Sequence, residues 1–281
     1  MTQDRSEVSK AVLRLDGQAA IVVGGGQTPG QTIGNGRATA ITYARAGARV
    51  LVADRDLDAA AATVAEITAE GGDAVPFRAD VTDEADIAAM VADACDRWGR
   101  LDILHNNVGI SVAGGDAEIS KIEGEAFDRI MAINLKSMVL AIKHALPVMR
   151  GQQSGNIINI SSTAAHEDYP WVTYKASKAA AKAMTEQVAL QNAPHGIRVN
   201  CIQPGLMNTP MAVDARMDAW NMTREEVVAM RDAKVPLGGK MGNAWDVANA
   251  ALFLVSDEAR FITGVTLMVD CLLYTSDAAD E

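Results

Sequence analysis

Short apolar runs alternate with longer amphipathic stretches along most of this chain. Ala19–Val23 is uniformly apolar and stops at Gly24-Gly25-Gly26, as a buried strand ended by a turn does. Small residues over 36–46 predict a helix closed by Gly47, and 49–53 predicts a second strand ended by Asp54. An Ala-rich helix is expected over 57–70, stopped by Gly71-Gly72, and a third strand over 74–78. Thr82 is expected to cap the next helix. Asp83, Glu84 and Asp86 lie in its first turn, and Ile87, Val91, Ala94 and Trp98 form one apolar stripe. Further strands are predicted at 101–105, 156–161, 197–202 and 265–269, with helical pattern between them except before the last. Seven strands so separated predict a single-domain α/β protein: a doubly wound, seven-stranded parallel sheet covered on both faces. That domain spans 15–270, after a polar extension over 1–14, with no repeat or linker inside it.

Composition sharpens this in two ways. At 281 residues the chain can bury a large core, but with 49% hydrophobic and only 4% aromatic residues that core must be aliphatic. A net charge of −11 supplies no field for a polyanion, so nucleic acid is not an expected partner. No apolar run approaches the ~20 residues of a membrane helix, and the polar N-terminus is unlike a signal peptide. No membrane association and a cytoplasmic location are therefore expected. Cys95, Cys201 and Cys271 are too few and too scattered for a disulfide framework or a metal site.

The last residues break the pattern. After Asp270 comes CLLYTSDAADE, which fits neither a strand nor an amphipathic helix. Back-translated with one codon choice, it resembles the transposon-end adapter used to prepare sequencing libraries. Residues 271–281 are therefore expected to be a non-native tail.

Candidate chemistry sits at strand ends. In a doubly wound sheet, ligands lie beyond the strand C-termini and phosphates rest on a helix N-terminus. The first turn runs from Gly24 through Gly34-Asn35-Gly36, and glycines there let backbone approach a pyrophosphate. Asp54, ending strand two, can accept both ribose hydroxyls of NAD and repel the extra phosphate of NADP; Arg55 beside it could offset that repulsion. Further on, Ser161-Ser162 close a strand, and Tyr174 and Lys178 share a helix face one turn apart. A phenol is a poor base at neutral pH, but an ammonium and a cationic nicotinamide nearby would favour phenolate. A strand-end serine could then hold the substrate oxygen while the tyrosine gives or takes its proton.

The full ordered set of motifs resembles the short-chain dehydrogenase/reductase family in its compact, single-domain branch. It comprises Gly34-Asn35-Gly36, Asp80-Val81, Asn106-Asn107-Val108-Gly109, Asn134 within INLKS, Ser161-Ser162, YKASK, and Pro204-Gly205 before Thr209-Pro210. The resemblance implies a Rossmann fold of strand order 3-2-1-4-5-6-7 and hydride transfer between a nicotinamide and an alcohol or ketone. Tyr174 would be the acid/base, and Lys178 would hold the nicotinamide ribose. Asn134 would support a relay water, and Ser162, with Ser161 as the alternative, would polarise the substrate oxygen. Asp80 and Val81 would flank the adenine, Asn107 would line the cofactor channel, and Thr209 would contact the carboxamide or pyrophosphate. Two departures stand out. The first turn carries six extra residues between Gly24 and Gly34, and the Gly-Gly expected after Val269-Asp270 is missing.

The segment 208–240 would form the substrate lid. Its Met211, Met217, Trp220, Met222 and Met230 offer an adaptable apolar wall or simply pack the lid, and Thr223 to Glu226 reads as a capping box. With His166 and Trp171 as further pocket candidates, a hydrophobic or cyclic secondary alcohol or ketone is expected, with NAD as cofactor. The family's helices after Phe127 and Tyr174 imply a homotetramer. Two alternatives stay open: an NADPH-dependent 3-oxoacyl-carrier-protein reductase, and a non-catalytic NAD(H)-binding regulator.

Overall fold

The computed structural model describes residues 13–273; most of the 1–14 extension and residues 274–281 of the tail lie outside them. Seven strands form one all-parallel sheet: β1 Ala19–Val23, β2 Arg49–Asp54, β3 Asp73–Arg78, β4 Ile103–Asn106, β5 Gly155–Ile160, β6 Ile197–Pro204 and β7 Thr266–Val269. Their spatial order is β3-β2-β1-β4-β5-β6-β7, as the resemblance implied. Between them run α1 Asn35–Arg45, α2 Leu57–Ala69, α3 Glu84–Trp98, α4 Gly124–Met131, α5 Ser137–Gln152 and α6 Val172–Asn192. Three helices precede β7, namely α7 Asp214–Trp220, α8 Arg224–Asp232 and α9 Ala244–Val255.

Strand alternation divides the core into two layers. Ala20 and Val22 of β1 face α1, α2 and α9, together with Ile41, Tyr43, Val247 and Leu254. Ile21 and Val23 face the other way, toward α3, α5 and α6, with Ile87, Met90, Ile142 and Ala189. Because both faces are covered, β1 is apolar throughout rather than alternating, while the neighbouring β4 and β5 bury the polar His105, Asn106 and Asn159. Alanines and glycines on the helices let them sit close to the sheet without large rings, which reconciles a deep core with so few aromatics.

Element boundaries differ from the expectation where a side chain takes a backbone partner. Asp83, not Thr82, caps α3: its carboxylate accepts from Ala85 N, while the Thr82 hydroxyl donates to Asp80. Gln152 brackets the backbone N–H and C=O of Leu101, so β4 starts at Ile103. β6 runs on to Pro204, carried by its pairing with β7 up to Val269. Among the described residues no helix is long and apolar enough to cross a membrane.

Candidate active site

The strand C-termini open into one cavity of about 780 Å³. Its cofactor end is mostly backbone. Gly24 turns the chain out of β1 with φ +78°, a conformation that favours glycine, and Gly36 in the first turn of α1 packs against it. A Cβ on Gly36 would lie 1.9 Å from the Gly24 carbonyl oxygen, so only glycine allows α1 this close to the turn. Asn107 Nδ2 donates to that same carbonyl at 3.1 Å, tying β4 to the turn. Gly34 is the N-cap of α1, with no side-chain cap, no acid in the first turn, and open space where its Cβ would stand. The helix therefore presents unsatisfied N–H groups and its positive end to the cavity, and the buried Asn35 Oδ1 has no partner. This is the cradle a dinucleotide pyrophosphate fits.

The extra residues of the first turn fold across toward the lid. Gly30 packs on Pro210, where a Cβ would come within 2.7 Å of the ring, and Gln31 N donates to Asp214 at 3.4 Å. Gln27 Oε1 accepts from Gly34 N and closes the insertion back on itself. Asp54 stands at the far side, its two carboxylate oxygens accepting from Gly26 N and Asp56 N at 3.1 Å each. Each oxygen keeps a further lone pair for a ribose hydroxyl. Asp80 and Val81 line the same wall, with Arg55 at its rim. Two hydrogen bonds from Thr82 hold the Asp80 carboxyl below its usual range.

The chemistry-bearing side chains gather at the other end. Lys178 is buried, lies 5.6 Å above the Tyr174 ring, and donates to the Ile160 carbonyl at 2.9 Å. Burial holds its pKa down to about 8. Tyr174 is pushed up to about 12, first by burial and then by Tyr169, while Ser162 and Arg216 pull the other way. Ser161 and Ser162 separate cleanly: Ser161 Oγ donates to the Lys178 backbone carbonyl at 2.7 Å, whereas Ser162 acts on the Tyr174 phenol. Asn134 lies in a π-helical turn, Ala132–Lys136, with its side chain fully buried. Its amide oxygen accepts from Ile110 N, and its nitrogen donates to Ile110 O and Ser177 Oγ, so the side chain positions its neighbours. Thr209 and Met211 line the cavity; His166 and Trp171 do not. Tyr169 takes the place expected of them, its ring 5.4 Å from that of Tyr174 and its hydroxyl 3.0 Å from Ser111 Oγ. Of the lid's expected apolar wall only Met211 reaches the cavity; Met217, Trp220, Met222 and Met230 lie outside its lining, Met230 on the surface.

Several residues of the site have no motif. Buried Asp116 accepts from Thr173 N at 3.1 Å and Tyr174 N at 2.9 Å, capping α6 at the residue that carries the phenol. Arg216 and Arg231 enter the cavity from α7 and α8. Only the basic residues of the lid, read as more than a solvated face, could have hinted at them.

Comparison with known proteins gives a consistent picture. The family model described as Enoyl-(Acyl carrier protein) reductase matches residues 31–271. The chain is 40% identical over 260 residues to the 2,5-dichloro-2,5-cyclohexadiene-1,4-diol dehydrogenase LinX of Sphingobium indicum, covering 92% of this chain and 96% of that one. A short-chain dehydrogenase/reductase from Burkholderia xenovorans superposes with TM-score 0.84 at 39% identity, over 93% of this chain and 98% of its own. A 7α-hydroxysteroid dehydrogenase, solved with NADH and 7-oxo glycochenodeoxycholic acid, superposes with TM-score 0.81 at 35% identity, over 92% and 95%.

Proposed function

The chain belongs to the short-chain dehydrogenase/reductase family of oxidoreductases, and we propose that within it this protein interconverts a hydrophobic or cyclic secondary alcohol and its ketone, using NAD(H). The observation that carries this reading is the convergence of Ser162, Tyr174 and Lys178 at one end of a cavity whose other end holds Asp54. The relatives named for a ring diol and a hydroxysteroid agree with this substrate class. Bound nicotinamide supplies the acceptor or donor of a hydride at the carbinol carbon. In the oxidative direction Ser162 would orient the substrate hydroxyl, and Tyr174 Oη, as the phenolate that a bound cationic nicotinamide would favour, would take its proton as the carbinol C–H bond breaks. Lys178 keeps two of its three N–H donors beyond the bond to Ile160, and these suit the ribose hydroxyls. Asn134 and Asp116 hold the loop and helix that carry these groups. Asp54 favours NAD over NADP because a second anion at the ribose 2′ position would face its carboxylate.

Titration with NADH and, separately, NADPH, followed by nicotinamide fluorescence, tests the cofactor assignment without a substrate. Clearly tighter NADH binding is expected; tighter NADPH binding would overturn the role of Asp54 and bring Arg55 forward. The same reading includes a cytoplasmic homotetramer. α4, α5 and α6 expose Phe127, Val139 and Leu190, which association would cover. Light scattering that returned a monomer would remove that part alone.

A further inference from the structure

The lid end of the cavity holds two guanidinium groups that the hydride-transfer reading does not use. Arg231, on α8, is 9% exposed and lines the cavity, and among the described residues its side chain makes one hydrogen bond, from Nε to the weakly accepting Met241 sulfur at 3.3 Å. It forms no ion pair with a described residue, although a buried, unpaired cation is costly. Arg216, on α7, also lines the cavity; its Nη1 donates to the Met211 carbonyl at 2.8 Å and its guanidinium stacks 5.7 Å from the Trp220 ring. The two groups repel each other, and that repulsion adds to burial in bringing Arg231 down to about 10. Arg216 also acts on Tyr169 and Tyr174, which places it beside the reacting end rather than at the pyrophosphate cradle.

Neighbouring acids offset the pair only in part. Glu167 lines the cavity and attracts Arg231, and Asp232 attracts it from outside the cavity lining, but no ion pair links Arg216 or Arg231 to a described acid. Asp232 accepts from Met241 N, and Asp214 is paired with Arg224. Two arginines lining one cavity, with N–H donors still open to it, suit the paired acceptors of a carboxylate.

We infer that Arg216 and Arg231 form an anion subsite, and that the substrate is a hydroxy or oxo acid whose carboxylate docks there while its carbinol or carbonyl carbon lies at Tyr174. This deepens the dehydrogenase reading and rests on it for the reacting end only. Met211 would then contact the apolar body between the two polar ends.

Calorimetric titration of the NADH-saturated protein with cyclohexanecarboxylate and with the neutral cyclohexanecarboxamide tests the subsite without turnover. The carboxylate is expected to bind about tenfold tighter than the amide. Arg231→Met, an apolar replacement of similar length, is expected to abolish that preference and to raise the thermal midpoint, since it removes an unpaired buried charge. Arg216→Met, at a less buried position, should weaken the preference without loss of fold. Equal affinity for acid and amide, no measurable carboxylate binding, or a preference that survives both substitutions would each overturn the subsite. Failure of NADH binding, or turnover retained by Tyr174→Phe, would instead count against the dehydrogenase reading. The titration is then repeated without cofactor and still decides the subsite.

Discussion

At the cofactor end of the cavity the working parts are backbone: Gly24, Gly36 and the uncapped start of α1, with Asn107 and Asp54 as their few side-chain fixtures. At the lid end they are side chains carried on separate elements: Ser162 after β5, Tyr174 and Lys178 on α6, Arg216 on α7 and Arg231 on α8. The first end tolerates almost no added volume, because a helix terminus and a turn already touch. The second depends on how far-apart elements aim their side chains. Substitutions should therefore divide, with cofactor affinity and stability failing together at one end and turnover failing at the other, where Lys178 alone also reaches the cofactor ribose.

The sharpest test of that division is Tyr174→Phe. Loss of the hydroxyl should lower turnover about a thousandfold with NADH affinity nearly unchanged, as steady-state kinetics and fluorescence titration would show. Affinity falling in step with turnover would erase the distinction between the two ends. Gly36→Ala should do the opposite: a methyl pressed on the Gly24 carbonyl is expected to cost about 2–3 kcal/mol of stability and to weaken NADH binding tenfold or more. Denaturant melts and the same titration check it.

Asp116 reaches across the division by holding Tyr174 through the backbone of α6. Asp116→Ala should cost about 1–2 kcal/mol and reduce kcat about tenfold while KM changes little. Asp116→Asn, which keeps one acceptor, should recover part of both, and a purely structural role would leave kcat intact in the folded fraction. A smaller effect is expected with pH. Burial lowers Lys178 from 10.5 to about 8, so its charge is present below that pH and is lost as pH rises through it. NADH affinity should fall several-fold between pH 7 and 9, and the fall should vanish in Lys178→Met. The least effect lies at the end of β7. Cys271 and Leu272 have φ +53° and +67°, in the left-handed region, where the family pattern has glycines. Replacing both with glycine should stabilise the protein by about 1 kcal/mol or somewhat more, whereas a loss of stability would argue that the segment is native in design.

How much could be read in advance follows the same division. All seven strands were legible, because a short apolar run ended by a glycine or polar residue is a local signal, and their order followed from the family resemblance, which the sheet bears out. The glycine turn, Asp54 and the Tyr174–Lys178 pair were legible as well, since their spacing along the chain reflects their spacing in space. His166 and Trp171 illustrate the limit. They lie between Ser162 and Tyr174 in sequence, yet the short turn after Ser162 directs Tyr169, not them, toward the cavity.

By itself, the chain's pattern of apolar runs, glycines and the YKASK segment determined the architecture and marked out the candidate site, because those features act over a turn or a strand. The tertiary structure alone decided that Asp116 caps a helix 58 residues away, that Gly30 of the lengthened turn rests on Pro210, and that Arg216 and Arg231 meet in one cavity wall. Such contacts join elements whose separation along the chain carries no information about their meeting. They exist only once the sheet has brought its crossovers together.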